Sequence, residues 1–201
     1  MIRVLLADDQ AMVRGALATV LGLEADIEVV GQAGSGEEAV AEARSAKPDV
    51  ALLDVQMPGM DGLTAAAELR RALPSCRVII CTTFGRPGYL ARAMAAGAAG
   101  FVVKDAPPEQ LVEAVRRVHS GLRVVDPALA AESLATGASL LTARERDVLS
   151  TAKDGSTVAD IAKALCLSEG TVRNHLSAAI GKTGARTRAE AVRLAEERGW
   201  L

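Results

Sequence analysis

Asp54 closes the run Val50-Ala51-Leu52-Leu53 and opens the run Val55-Gln56-Met57-Pro58-Gly59-Met60-Asp61-Gly62. Four apolar residues with no polar alternation predict a strand buried on both faces. Pro58, Gly59 and Gly62 turn the chain directly after it. The strand therefore ends on a carboxylate, where open α/β sheets bind their ligands. A lone Asp after a strand is usually a cap or turn former, so its neighbours decide what it does.

Those neighbours come from a regular alternation. Residues 2–7, 27–33, 49–53, 76–82 and 100–103 predict strands. Residues 10–23, 37–46, 63–73, 89–96 and 109–119 carry helical spacing between them. This predicts an α/β, doubly wound, five-stranded parallel sheet over about 120 residues. Aromatics are 2% of a chain that is half apolar, so Ala, Leu and Val build the core. Gly31, Gly34 and Gly36 imitate a phosphate loop, but the spacing is wrong and they read as a turn. Cys76, Cys81 and Cys166 form no CxxC and sit among apolar residues, which predicts three reduced, buried thiols. No signal peptide and no apolar run of 18 residues is found, so the expectation is a cytosolic protein without a membrane partner.

The carboxyl ends of the strands carry Asp8-Asp9, Asp54, Thr82 and Lys104. Three carboxylates brought to one edge repel unless a cation intervenes. Hard oxygen ligands with room for water suit Mg²⁺. An ionised Asp54 is a nucleophile toward phosphorus, and Lys104 and the Thr82 hydroxyl would neutralise and hydrogen-bond the phosphoryl oxygens.

Asp8-Asp9, Asp54-x-x-Met57-Pro58 with Gly62, Thr82, and Lys104 preceded by Phe101 together resemble the receiver domains of bacterial two-component response regulators. The resemblance implies a flavodoxin-like fold over residues 1–120. It implies that Asp54 accepts a phosphoryl group from a sensor histidine kinase. Asp9, Asp54 and the Gln56 backbone carbonyl would hold Mg²⁺, with Asp8 a further candidate ligand. Thr82 and Phe101 would form a switch pair.

Residues 121–138 read as a linker, broken by Asp126-Pro127 and Gly137, with room for a short helix over 127–134. From 139 to 201 the pattern is helical throughout. This part carries ten Lys/Arg against eight Asp/Glu, while the rest carries thirteen against seventeen. Thr142-x-x-Glu145 and Thr187-x-x-Glu190 read as capping boxes, and Thr157 and Ser168 as caps. Four short helices follow, and those over 158–165 and 169–182 have the spacing of a helix-turn-helix. In the second of that pair Val172, Leu176, Ala179 and Ile180 form the apolar stripe. Arg173, Asn174 and Ser177 then face outward, with His175 at the flank. Arg suits guanine and Asn suits adenine in the major groove. Lys182, Arg186 and Arg188 stand near helix ends, where phosphates would pass.

Leu141-Thr142-x-Arg144-Glu145, Gly155, Ile161-Ala162, Ser168 and Thr171-Val172-Arg173-x-His175 resemble the LuxR-type helix-turn-helix. The order of the two domains resembles the NarL/FixJ subfamily, and the stretch from Thr82 to Tyr89 resembles its DesR-like members. The resemblance implies double-stranded DNA as partner, with Thr171, Arg173, Asn174, His175, Ser177, Lys182 and Arg188 in contact, and a homodimer on activation. Helices 10–23 and 109–119 are candidate dimer surfaces, as is the face of helix four, strand five and helix five. Ser177 stands where the family often has a basic residue. Thr183 and Ala185 replace the usual Leu and Val, and Gly181 weakens the helix end. Two alternatives remain at this stage. One is a DNA binder with a degenerate receiver. The other is an aspartate-nucleophile phosphohydrolase, against which stands Gln56 in place of a second acid.

Overall fold

The computed structural model describes residues 1–83, 87–127, 129–131, 139–153 and 155–201. The chain divides into two compact units, Met1–Gly85 with Leu90–Ala130 in the first and Arg86–Tyr89 with Ala131–Leu201 in the second.

The first unit runs β1 (Ile2–Ala7), α1 (Ala11–Gly22), β2 (Ile27–Ala33), α2 (Gly36–Ala46), β3 (Val50–Leu53), α3 (Gly62–Ala72), β4 (Arg77–Thr82), α4 (Pro87–Ala96), β5 (Gly100–Val103), α5 (Pro108–His119) and β6 (Val124–Val125). All pairings are parallel, in the order β2-β1-β3-β4-β5-β6. The sheet thus has six strands, not the expected five. Val124 and Val125, read as linker, pair with Gly100 and Phe101. Two residues are too short a run to announce a strand, and the free edge of β5 is what recruits them. Gly31 belongs to β2 rather than to a turn, where the register against β1 slips between Val4 and Leu5. Of the helix expected over 127–134, residues 127 and 129–131 are helical, and the other four positions lie outside the described residues.

Every residue of β3 is buried, as covering helices on both faces require. α5 buries Leu111, Val112, Ala114, Val115 and Val118, whereas α1 buries Leu21 alone among its residues. The direction of the order reverses between β1 and β3, and this is the switch point where such sheets place their ligands.

The second unit comprises α6 (Ala143–Thr151), α7 (Val158–Ala164), α8 (Glu169–Thr183) and α9 (Arg188–Glu197) around a core of Leu141, Val148, Leu149, Ile161, Val172, Leu176, Ala191 and Trp200. Thr142/Glu145 form the expected capping box, and Thr157/Asp160 form another. At α9 the box is incomplete. Thr187 accepts the Glu190 N–H, but the Glu190 carboxylate turns to the Arg186 N–H at 2.8 Å. The α7–α8 turn places Cys166 at φ 53°. That thiol is exposed rather than buried, because the turn carries it away from the core.

Among the described residues no helix is long and apolar enough to cross a membrane.

Candidate functional site: a carboxylate cluster and a helix-turn-helix

Strand register assembles the first site. Ala7 pairs with Leu53, so the next residues, Asp8 and Asp54, emerge side by side. The Asp54 N–H donates to the Ala7 carbonyl at 2.8 Å and fixes this offset. The carboxylate oxygens of Asp8, Asp9 and Asp54 lie within 4.8 Å of one another. Asp8 and Asp54 are buried and Asp9 is exposed. Lys104 Nζ bridges the two buried acids, 2.7 Å from Asp8 Oδ2 and 2.9 Å from Asp54 Oδ2. The other oxygen of Asp8 accepts the Gln10 N–H at 2.9 Å. Burial pushes the Asp54 carboxyl above its ordinary value, although the Lys104 bond offsets part of that rise. Burial alone would lower the Lys104 ammonium, but its bonds to Asp8 and Asp54 outweigh this and hold it above its ordinary value.

Three carboxylates and one ammonium give the site a formal charge of −2. A divalent cation with hard oxygen preference matches both the charge and the donors. Asp9 is the exposed member of the cluster. Gln56 is exposed in the turn after β3.

Thr82 and Phe101 are both buried, at 3% and 1% exposure. Thr82 ends β4 opposite Val103, and its carbonyl accepts the Lys104 N–H at 2.8 Å. Phe101, the other member of the expected switch pair, packs inward here. It lines a cleft of about 390 Å³ with Ala106, Gln110, Ala114 and Val124. Cys81 lies close enough to feel Lys104 and Asp54, but burial drives its thiol up to about 12, so it is no nucleophile.

The turn from Val55 to Asp61 is held by Gly36 and Gly62 together with Glu37, which the sequence did not single out. The Gly62 N–H donates to Val55 O at 3.1 Å and the Gly36 N–H to Met60 O at 3.2 Å. The Glu37 carboxylate accepts the Met60 N–H at 2.8 Å. Arg14 donates to the Asp8 carbonyl. The pair of glycines, Gly36 and Gly62, was the available signal; the partners are set by tertiary contact.

In the second unit α8 starts at the Ser168 cap, whose hydroxyl accepts the Thr171 N–H at 3.1 Å. Arg173, Asn174 and Ser177 are exposed, while Thr171 and His175 are half-buried. Arg173 pairs with Glu169 one turn earlier at 2.6 Å. Lys182 and Arg188, expected at phosphates, each bond within the unit. Lys182 reaches the Glu145 carboxylate and Arg188 the Ser156 carbonyl. Thr183 is buried and donates its hydroxyl back to Ala179 O at 2.9 Å and Ile180 O at 3.0 Å. The helix runs through Gly181 unbroken and stops at Gly184, φ 73°.

Residues 4–116 match the response regulator receiver domain, and residues 139–195 match the bacterial regulatory proteins of the luxR family. The transcriptional regulatory protein DesR of Bacillus subtilis is 44% identical over 201 residues, all of both chains. The DNA-binding transcriptional activator DevR/DosR of Mycobacterium tuberculosis is 37% identical, over 98% of this chain and 95% of its own. Among solved structures, the response regulator ChrA of a heme-sensing two-component system aligns with TM-score 0.59 and 33% identity, over 100% of this chain and 98% of that one.

Proposed function

The chain belongs to the response regulators that join a receiver domain to a LuxR-type DNA-binding domain, and from that premise we propose that phosphorylation of Asp54 switches its binding to DNA. The observation that carries this reading is the Lys104 ammonium bridging Asp8 and Asp54 within the carboxylate cluster. A sensor histidine kinase presents phosphohistidine. An Asp54 carboxylate oxygen attacks phosphorus, the N–P bond breaks, and the imidazole leaves with that electron pair. Asp9, Asp54 and the Gln56 carbonyl would hold Mg²⁺, with Asp8 a further candidate ligand, and the bound ion would neutralise charge on the transferring group. Lys104 and the Thr82 hydroxyl then hold the phosphoryl oxygens. The protein is a regulator, and its turnover is limited to slow loss of its own acyl phosphate.

The phosphoryl group adds charge and acceptor oxygens beside Lys104. Thr82 drawn toward that group alters the packing of the buried Phe101 ring and, with it, the surface of α4, β5 and α5. Driving such an equilibrium from one side to the other takes about 5.5 kcal/mol, more than the ~1 kcal/mol of one hydrogen bond. Dimerisation supplies the remainder. α1 buries Leu21 alone, leaves Met12 87% exposed and faces α5 across an apolar cavity of about 180 Å³. The α1 and α5 surface is therefore the preferred receiver interface. α9 joins the DNA-binding domains, and the pair reads half-sites about one helical turn apart or a multiple of it.

Mass spectrometry after acetyl phosphate and Mg²⁺ tests the switch. The wild-type chain gains one phosphoryl group and Asp54→Asn gains none. A wild-type chain that takes up none is instead a phosphorylation-independent DNA binder. The DNA reading has its own test. Arg173→Ala should weaken binding to the preferred duplex by ~1–3 kcal/mol and relax its selectivity. Anisotropy titrations showing unchanged affinity and selectivity would remove Arg173 from the reading role.

A further inference from the structure

Lys182 occupies the last turn of α8 and is one of the three cations that the sequence offers to DNA phosphates. Its Nζ lies 2.8 Å from Glu145 Oε1 and 2.7 Å from Glu145 Oε2. Glu145 is 5% exposed, in the first turn of α6. Its Oε2 also accepts the Thr142 N–H at 2.7 Å, which completes the α6 cap. One carboxylate thus ties the start of α6 to the end of α8, and its bonds to Lys182 and Thr142 hold it below its ordinary value despite burial.

The end of α8 needs such a tie. Its buried side chains are Val172 and Leu176 in the first half, and Ala179 and Thr183 in the second. The second half therefore offers little apolar area to anchor it. A further cation bonds at this end, where Arg198 donates to Thr183 O at 3.1 Å. Arg173, Asn174 and Ser177, in the first two-thirds of the helix, are the exposed polar side chains in the positions that reach bases. If Lys182 left for a phosphate, Glu145 would stay buried without a counter-charge, and breaking such a pair costs more than an exposed contact returns.

We propose that Lys182 is a positioning residue that sets the pose of α8 through Glu145, and that it contacts no phosphate. This rests on the reading that α8 enters the major groove. The experiment uses the full chain, a selected duplex and a random duplex, with anisotropy titrations across a salt series and circular dichroism on every variant. Lys182→Met should lose about tenfold affinity for the selected duplex, with far less change on the random one. The slope of log affinity against log salt should stay that of the wild type. Loss of a phosphate contact would reduce that slope by ~0.9, and this result overturns the proposal. Glu145→Gln keeps an acceptor for the Thr142 N–H and should reproduce the Lys182→Met loss; wild-type affinity in this variant also overturns it. Lys182→Arg should recover binding. A wild-type chain that binds neither duplex removes the DNA reading itself, and the proposal with it.

Discussion

Gly62→Ala is expected to abolish phosphoryl uptake at Asp54 and to cost stability at the upper end of the ~1–3 kcal/mol typical of overpacking. A Cβ at Gly62 would stand 1.8 Å from the Asp54 carbonyl oxygen and 2.8 Å from its carbonyl carbon. Both obstacles are backbone, so no side-chain rotation relieves them. Nor is the turn free to retreat. Gly62 is bonded to Val55, Met60 is held by Gly36 and Glu37, and Asp54 is bonded to Ala7. The new methyl therefore displaces Asp54 itself, and a carboxylate moved by about 1 Å loses its attack geometry. Urea unfolding and the acetyl phosphate assay read the two effects. Gly15→Ala in α1 is the control, since nothing lies within 4 Å of its Cβ position. It should match the wild type or exceed it by ~1 kcal/mol. A Gly62→Ala chain with the wild-type midpoint and full phosphoryl uptake would refute the close-approach argument.

The same turn marks where sequence reasoning reaches its limit. Asp54 was legible because a fully apolar run must be a buried strand and Pro-Gly must end it. Asp8 and Lys104 were legible for the same reason, each closing an apolar strand. That three strand ends share one edge follows from parallel alternation. The bridging of Asp8 and Asp54 by a single ammonium depends on a register of one residue between β1 and β3, which no local pattern encodes. β6 was missed because two residues carry no period. In the second unit the exposure of Arg173, Asn174 and Ser177 followed from helical spacing. The inward turn of Lys182 did not, because its partner lies 37 residues earlier. Cys166 was misplaced because its apolar neighbours, Leu165 and Leu167, turn inward while a left-handed residue between them points out.

Lys104→Met should lower the stability of the receiver unit by roughly 3 kcal/mol at neutral pH, the low end of what breaking a buried pair costs. The low end applies because Asp9 leaves one side of the cluster open to solvent. Methionine preserves the apolar stem, so the loss reports the charge. Its pH dependence follows from Asp54, whose carboxyl is raised by burial and pulled back by Lys104. Without Lys104 the folded-state value climbs further above the unfolded one, about 3.9. A raised carboxyl binds its proton more tightly in the folded chain. The stability this contributes is fully present below the unfolded value and is lost as pH rises through the folded value. The variant should therefore unfold near the wild-type urea midpoint in acid and fall steadily behind it toward neutrality. Removing the ammonium also changes the formal charge of the cluster from −2 to −3, so Mg²⁺ should recover more stability in the variant than in the wild type. A deficit that is equal at acid and neutral pH, and indifferent to Mg²⁺, would mean that Lys104 acts by packing and that the three carboxylates are not the cation site proposed for them.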